Sequence, residues 1–278
     1  MRRPLLVMDG DSFAHRAYHA LPNSMRRQDG GPGNALIGFT NMLLRLWHDE
    51  RPRTVLVAWD RLDVPTYRHT ALEAYQSGRV FDDELVEQLD LLPALVRSTG
   101  FVCAKEPGYE ADDFLAAAAT QEEAAGGTAL VATSDRDAFQ LVTDRVTVLQ
   151  PARGAPPARI GPSEVRDRYG VDPAQVPDFI ALRGDPSDKI PGARGIGQKR
   201  AAELLQQYPS LDALLEEGRF ASEADALRLY RRIATMDRAA PLPGLPDVAP
   251  EWDAAAAHAR GLGLEQVARR FEEALGWT

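Results

Sequence analysis

The fold of this chain is decided by a pattern first met in Leu5-Leu6-Val7-Met8-Asp9, where a short apolar run closes on an acid. The run at 55–59 closes on Asp60 in the same way, and the run at 129–133 is followed by Asp135 and Asp137. Short, continuously apolar runs are typical of the buried strands of a parallel sheet. Ligands bind beyond the carboxyl ends of such strands, and these acids would meet there.

Strand-like runs alternate with helical patterns in the first part of the chain. The runs lie at about 4–9, 54–60, 101–104, 128–134 and 146–150, and the helical patterns cover 34–47, 83–97 and 110–125. This alternation predicts an α/β fold with a mostly parallel central sheet flanked by helices. Helical spacing predominates from Pro162, apart from an extended stretch at 241–250, and 263–275 reads as an amphipathic packing helix. We therefore predict an α/β core at 1–160 and a helical region at 161–278.

Composition limits the class of protein. The 278 residues are 44% hydrophobic and 26% charged, as in ordinary globular proteins. No apolar stretch has membrane-spanning length, and the single cysteine, Cys103, excludes an internal disulfide. We therefore predict a cytoplasmic protein that does not bind membranes. The net charge of −9 argues against nucleic-acid binding when taken alone, but an acidic site neutralised by metal would explain much of it.

Two further acidic clusters follow the strand-terminal acids. Glu110, Asp112 and Asp113 open a predicted helix, and Asp185 and Asp188 lie in a turn. Each cluster alone has a structural explanation, since acids suit the first turn of a helix and Asp favours turns. Gathered at one edge, these carboxylates would be costly unless cations neutralised them, so we predict a divalent metal site for phosphate chemistry. The predicted ligands are Asp9, Asp60, Glu110, Asp112, Asp113, Asp135, Asp137, Asp185 and Asp188.

A glycine-rich stretch follows the last acids. It reads Pro191-Gly192-Ala193-Arg194-Gly195-Ile196-Gly197 and leads into a helical pattern that begins with Lys199 and Arg200. Glycines let backbone amides approach a phosphate, and the start of a helix favours negative charge. This is a helix-hairpin-helix-type pattern, which predicts sequence-independent contact with a DNA backbone through Gly192, Gly195, Gly197, Lys199 and Arg200.

Two other interpretations explain less of the sequence. His15 and His19 are four residues apart, as zinc ligands can be, but no third nitrogen or sulfur ligand has suitable spacing. Asp9-Gly10-Asp11-Ser12 is similar to the nucleophile motif of aspartyl-phosphate enzymes. That interpretation leaves the later acids without a role.

Taken together, the motifs resemble those of the 5′ nuclease family, which includes the 5′–3′ exonuclease domain of bacterial DNA polymerase I and the flap endonucleases. The resemblance covers nearly the whole chain, and the chain looks like a free-standing member. It implies a two-metal phosphodiesterase that uses Mg²⁺ or Mn²⁺ on DNA with a 5′ end or flap. It also implies a potassium-assisted clamp at the glycine hairpin 191–197, and an arch at 65–83. A separate DNA polymerase is an expected partner of a monomeric enzyme. The stretches that carry the resemblance are 6–10, 16–20, 57–60, 67–69, 108–113, 133–137, 184–188 and 191–197.

The resemblance also assigns residues. Asp9, Asp60, Glu110, Asp112 and Asp113 match the family's first metal group, and Asp135, Asp137, Asp185 and Asp188 match the second. Arg79 joins these acids as a catalytic residue. The DNA contacts expected outside the hairpin are His15, Arg16, Arg68, Tyr75, Gln76 and Arg79.

Two departures from the family pattern leave alternatives open. Gln76 stands where the family usually has a lysine, and His15 where it commonly has a tyrosine. A missing cation beside the scissile phosphate would lower the rate. A structure-specific DNA-binding protein with weak catalysis therefore remains an alternative. A small RNA-cleaving nuclease with a similar acidic α/β core is a further alternative, although the long helical half and the hairpin argue against it. Whether the enzyme prefers to cut flaps or to trim ends, and whether it prefers Mg²⁺ or Mn²⁺, also stays open.

Overall fold

The computed structural model describes residues 2–78, 80–152 and 154–277, and its centre is a six-stranded sheet with the order β3-β2-β1-β4-β5-β6. The parallel strands β1 to β5 agree with the five predicted runs to within a few residues. The strands are β1 Leu5–Asp9, β2 Thr54–Ala58, β3 Val102–Ala104, β4 Ala129–Ala132, β5 Val146–Gln150 and β6 Ala158–Ile160.

Strand β6 was not predicted. It pairs antiparallel with β5, so that Ile160 lies opposite Val148. Three residues without an apolar run carry little signal in a sequence, and this strand forms because β5 offers it an edge.

Helices surround the sheet and continue to the end of the chain. The predicted helices at 34–47, 83–97 and 110–125 are confirmed as α2, α4 and α5. The prediction of a helical second half is also confirmed, since α6 begins two residues after β6 ends. The helices are α1 Gly10–Ala20, α2 Asn34–Glu50, α3 Tyr67–Ala71, α4 Asp83–Ser98, α5 Ala111–Ala124, α6 Pro162–Tyr169, α7 Val176–Arg183, α8 Gln198–Gln207, α9 Leu211–Glu216, α10 Ala224–Ala234, α11 Trp252–Gly261 and α12 Glu265–Ala274.

Alternating side chains of the strands enter two apolar cores. One core joins α5 to the helices after β6, around Phe114 and Phe179. The other core lies on the opposite face, where α1, α2 and α4 meet the returning helices α11 and α12. There the Trp252 ring lies 5.0 Å from Trp47 and 5.8 Å from Phe271. The end of the chain is therefore part of the packing of the α/β core.

The stretch at 241–250 has no regular structure, as expected, and it is bonded to the residue that precedes β2. The buried Arg53 holds it, because its guanidinium donates to the Leu245 carbonyl at 2.7 Å and its own carbonyl accepts from the Val248 amide at 3.1 Å. Within the described ranges, no helix combines the length and the apolar character that crossing a membrane requires.

Candidate metal centre

A cavity of about 630 Å³ opens at the carboxyl ends of the parallel strands. It gathers eight of the nine predicted acids, which come from five separate parts of the chain. The carboxylates that line it are Asp9, Asp60, Glu110, Asp112, Asp135, Asp137, Asp185 and Asp188, together with Asp11.

The end of β1 fixes two of these carboxylates. Asp9 caps helix α1: its Oδ1 accepts from the Ser12 amide at 2.9 Å, and its Oδ2 accepts from Thr133 Oγ1 at 2.8 Å. Asp11 lies in the first turn of α1, and its Oδ2 accepts from the Asp60 amide at 2.7 Å. Asp11 was not predicted as a site residue. Its signal was its position two residues after Asp9, where the turn from strand to helix brings both acids to the same edge.

The start of α5 supplies the neighbouring group. Asp60 Oδ1 accepts from the Ala111 amide at 2.6 Å, which ties the end of β2 to this helix. Glu110 accepts from Thr66 Oγ1 at 2.8 Å and from the Tyr75 hydroxyl at 3.0 Å. Asp112 differs from both, because its Oδ1 is buried without a hydrogen-bond partner in the described structure. A buried oxygen of this kind needs a compensating interaction, and a cation would supply it.

The second group comes from two loops. Asp135 and Asp137 follow β4, and the Asp137 amide donates to Asp135 Oδ1 at 2.8 Å. Asp185 and Asp188 belong to a tight loop in which Asp185 and Ile190 exchange backbone hydrogen bonds of 2.8 Å. The guanidinium of Arg183, which no sequence motif had singled out, pairs with Asp185 at 3.0 Å and also lines the cavity.

Burial, and then repulsion between the carboxylates, raises the pKa of several of these acids. Burial is the largest cause for Asp9 and Glu110, each with a pKa of about 7, and the charge of Asp60 raises both further. Burial also raises the pKa of Asp112 well above its usual range, and repulsion from Asp135 and Asp9 adds to this. The pKa values of Asp11 and Asp137 are raised for the same reasons. A bound cation would remove these costs, so the residues fit a metal centre.

The oxygen-only character of the carboxylates fits Mg²⁺ or Mn²⁺ better than a softer metal. In the described residues, no three carboxylate, histidine or thiol groups already form a complete ligand set around one point. Mg²⁺ does not need such a set, because it keeps several bound waters and takes one or two carboxylates directly.

Two predicted site residues pair with each other. The guanidinium of Arg68 donates to both oxygens of Asp113, at 2.8 and 2.6 Å, and to the Ile233 carbonyl at 2.9 Å. Arg68 is 2% exposed and Asp113 is fully buried. Arg68 and Asp113 therefore form an internal ion pair that joins α3 to α5, and neither residue lines the cavity. Their roles in binding DNA and metal stay predictions.

The segment predicted as an arch, 65–83, lies beside the cavity and has little helix: the described part holds α3 and then turns. Tyr75 is 3% exposed and donates its hydroxyl to Glu110, and its contact with DNA stays a prediction. Gln76 does line the cavity. Arg79 lies outside the described residues.

The other predicted DNA contacts remain accessible to different degrees. His15 lines the cavity with its ring 5.3 Å from Phe81, whereas Arg16 is half-buried on α1. On the hairpin, Gly195 has a φ of 74°, and Gly197 caps α8. Lys199 and Arg200 are exposed at the start of that helix. Contact of these residues with DNA stays a prediction.

Comparison with protein families gives two matches that together span most of the chain. Residues 4–170 match the 5′-3′ exonuclease N-terminal resolvase-like domain, and residues 171–252 match the 5′-3′ exonuclease C-terminal SAM fold. The two matches meet ten residues after the boundary predicted from the sequence.

The sequence is similar to bacterial DNA polymerases I. It is 40% identical to that of Mycobacterium tuberculosis over 255 residues, which is 87% of this chain and 28% of the relative. It is also 40% identical to the thermostable enzyme of Thermus thermophilus over 213 residues, 76% of this chain and 25% of the relative. The chain thus spans about a quarter of the length of these curated relatives.

Solved structures share the fold. A bacteriophage T5 5′-exonuclease with bound zinc ions matches with a TM-score of 0.70 and 19% identity, covering 98% of this chain and 99% of the other. A T5 flap endonuclease in a pseudo-enzyme-product complex with DNA and metal ions gives a TM-score of 0.71 at 17% identity and the same coverage. The catalytic core of Rad2 with a DNA substrate gives 0.64 at 14% identity, with coverage of 99% and 92%.

Proposed function

This chain belongs to the 5′-3′ exonuclease family, and from that premise we propose that it hydrolyses phosphodiester bonds of DNA at 5′ ends and 5′ flaps by a two-metal mechanism. The observation that carries the proposal is the cavity lined by carboxylates from five parts of the chain. Selection for stability alone would not assemble buried, mutually repelling acids, since separate acids would be more stable. Their presence is explained if cations occupy the cavity during function.

The carboxylates divide into two sets that would hold the ions. Asp9, Asp60, Glu110 and Asp112 form the first set, and Asp135, Asp137, Asp185 and Asp188 form the second. Asp11 supports the first set by holding the Asp60 amide. Bound Mg²⁺ or Mn²⁺ would offset the carboxylate repulsion and act as a Lewis acid toward the scissile phosphate.

The remaining residues of the cavity position the strand. Arg183 places a guanidinium beside Asp185, where it can donate to a phosphate oxygen. His15 offers an aromatic face for a base at the rim. Gln76 is neutral, so it gives the cavity no positive charge at the position where the family usually has a lysine.

The glycine hairpin at 191–197 would hold the duplex away from the cleavage site. Nothing lies within 4 Å of the positions that side chains on Gly195 and Gly197 would occupy, so the backbone there is open to a phosphate. Lys199 and Arg200 add positive charge at the same helix start. We include a potassium ion at this hairpin in the proposal, and replacement of K⁺ by choline should weaken duplex binding.

Cleavage of a labelled 5′-flap duplex tests the proposal. We expect short 5′ products with Mg²⁺ or Mn²⁺, none with a chelator, and none from Asp112→Asn. Wild-type protein that cleaves with neither metal, or that cleaves as well after Asp112→Asn, would contradict it. The same substrate without the flap measures the trimming of 5′ ends.

We also propose that the protein is a monomer that works with a separate DNA polymerase. Size-exclusion chromatography with light scattering measures its mass alone and in a mixture with a DNA polymerase.

Gln76 favours a second candidate, a structure-specific DNA-binding protein with weak catalysis. Tight binding of the flap without turnover, and no gain of turnover on Gln76→Lys, would support that candidate. Equal cleavage of single-stranded RNA and flap DNA would instead favour an RNA-cleaving nuclease.

A further inference from the structure

Gln76 forms a hydrogen-bonded connection between the two sets of carboxylates. Its side-chain amide donates to the Tyr75 hydroxyl at 2.9 Å and to Asp188 Oδ1 at 3.1 Å. The Tyr75 hydroxyl in turn donates to Glu110 Oε2 at 3.0 Å. Glu110 belongs to the first set and Asp188 to the second, so the connection spans the cavity.

The donors and acceptors along this connection fit one arrangement. A tyrosine hydroxyl has one hydrogen, which goes to the Glu110 carboxylate, so its oxygen accepts from Gln76. The primary amide of Gln76 has two hydrogens, and both are used. The opposite orientation of the amide would direct its carbonyl oxygen at the Asp188 carboxylate, which is repulsive.

The backbone conformation indicates that the surrounding structure holds Gln76 in this arrangement. Gln76 and Lys189 have φ values of 48° and 56°, a left-handed conformation that non-glycine residues rarely adopt. Such strain persists only where the surrounding structure holds it in place. Two hydrogen bonds join the loops that carry these residues. The backbone N–H of Gln76 donates to the backbone carbonyl of Asp188 at 3.4 Å, and Lys189 Nζ donates to Ser77 Oγ at 3.0 Å.

We propose that Gln76 is a positioning residue that holds Asp188 and, through Tyr75, Glu110 at a fixed separation across the metal cavity. It acts through these two carboxylates and brings no charge of its own. The consequence concerns metal affinity, because the residues that orient metal ligands contribute about 10-fold to 100-fold to binding. The inference rests on the proposed metal site, but not on cleavage of DNA.

The test is a double-mutant cycle read by Mn²⁺ binding in the absence of DNA. Gln76→Met keeps the length of the side chain and removes both donors, and Tyr75→Phe removes only the hydroxyl. Binding is followed by the loss of the free Mn²⁺ signal in electron paramagnetic resonance. We expect each variant to bind Mn²⁺ about tenfold more weakly, and the double variant to be no weaker than either, because the connection acts as a unit.

Gln206→Met is the matched control. It removes an exposed glutamine amide, which donates to the Gly170 carbonyl at 2.9 Å outside the cavity lining, and should leave Mn²⁺ binding unchanged. Thermal unfolding of the metal-free variants reports any general loss of structure. A variant that melts as wild type and binds Mn²⁺ more weakly supports positioning.

The outcomes separate the two proposals. Unchanged Mn²⁺ binding by Gln76→Met, or additive effects in the double variant, overturns the role of Gln76 and leaves the nuclease proposal intact. If the Gln76 and Tyr75 variants show coupled losses of Mn²⁺ binding but the wild-type protein cleaves no DNA, the role of Gln76 is supported and the nuclease proposal is overturned. Wild-type protein that binds no Mn²⁺ would overturn both.

Discussion

Thr133 and Asp9 are joined by a buried hydrogen bond of 2.8 Å between Thr133 Oγ1 and Asp9 Oδ2. Asp9 ends β1 and Thr133 follows β4, so the bond links neighbouring strands at the edge where the cavity begins. The Thr133 oxygen also accepts from the Asp135 amide at 3.0 Å. One hydroxyl therefore orients an acid from each of the two sets.

Thr133→Val should weaken Mn²⁺ binding by about tenfold, because it keeps the shape of the side chain and removes the group that orients Asp9. The measurement is a Mn²⁺ titration of the metal-free protein. Thr143→Val is the control, since Thr143 Oγ1 donates to Glu123 at 2.7 Å on another part of the surface. Equal affinity in wild type and Thr133→Val would contradict the expected role of the hydroxyl.

Asp112→Asn should stabilise the metal-free protein while it removes activity. The substitution replaces a carboxyl group whose pKa is raised by burial first and then by the charges of Asp135, Asp9 and Asp60, so its ionised form is costly in the metal-free protein. We expect the melting temperature to rise by about 2 °C or more, which corresponds to roughly 1 kcal/mol in a chain of this size, and flap cleavage to fall at least about 100-fold. Differential scanning calorimetry with a chelator measures the melting temperature, and the labelled flap duplex measures cleavage. A lower melting temperature would show that the Asp112 carboxylate is not under electrostatic strain.

The sequence predicted the acids at strand ends because a parallel sheet places the ends of its strands at one edge. Asp9 and Asp60 needed only the apolar runs before them. Asp113 shows the limit of this reasoning, because its spacing from Glu110 is as suitable for the site as that of Asp112. The choice between them depends on Arg68, which reaches Asp113 from a segment more than forty residues earlier. No local pattern contains that contact.

Arg68→Met should destabilise the fold, since it leaves the carboxylate of Asp113 buried without its partner. Breaking a buried ion pair on one side costs about 3–5 kcal/mol. Unfolding in urea measures the loss of free energy. Arg61→Met is the control: Arg61 pairs with the exposed Asp63 at 2.7 Å, and its loss should change the stability little. Similar stabilities for the two variants would contradict the structural role assigned to Arg68.

The metal-free protein should lose stability as the pH rises from 5 to 8. Burial and then nearby charges raise the pKa of Asp9 to about 7, above the unfolded value of about 4. Burial also raises the pKa of Glu110 to about 7. A raised pKa gives stability that is full below the unfolded pKa and is lost as the pH rises through the folded pKa.

Mn²⁺ should reverse this loss, because it binds the ionised carboxylates and competes with their protons. Melting temperatures at pH 5, 6, 7 and 8, each with chelator and with Mn²⁺, provide the measurement. The gain from Mn²⁺ should be larger at pH 8 than at pH 5. A gain that is the same at every pH would show that these acids do not titrate in this range.

Lys199→Ala should weaken the binding of duplex DNA without changing the cleavage chemistry, because Lys199 is exposed at the start of α8 and outside the cavity lining. A lost phosphate contact reduces the slope of log affinity against log salt concentration by about 1. Fluorescence anisotropy at several salt concentrations measures this slope, and single-turnover cleavage at saturating protein should be unchanged. Arg219→Ala, which removes an exposed arginine packed on Tyr208, is the control for general loss of charge. If both variants lower the slope equally, the hairpin is not the preferred site of backbone contact.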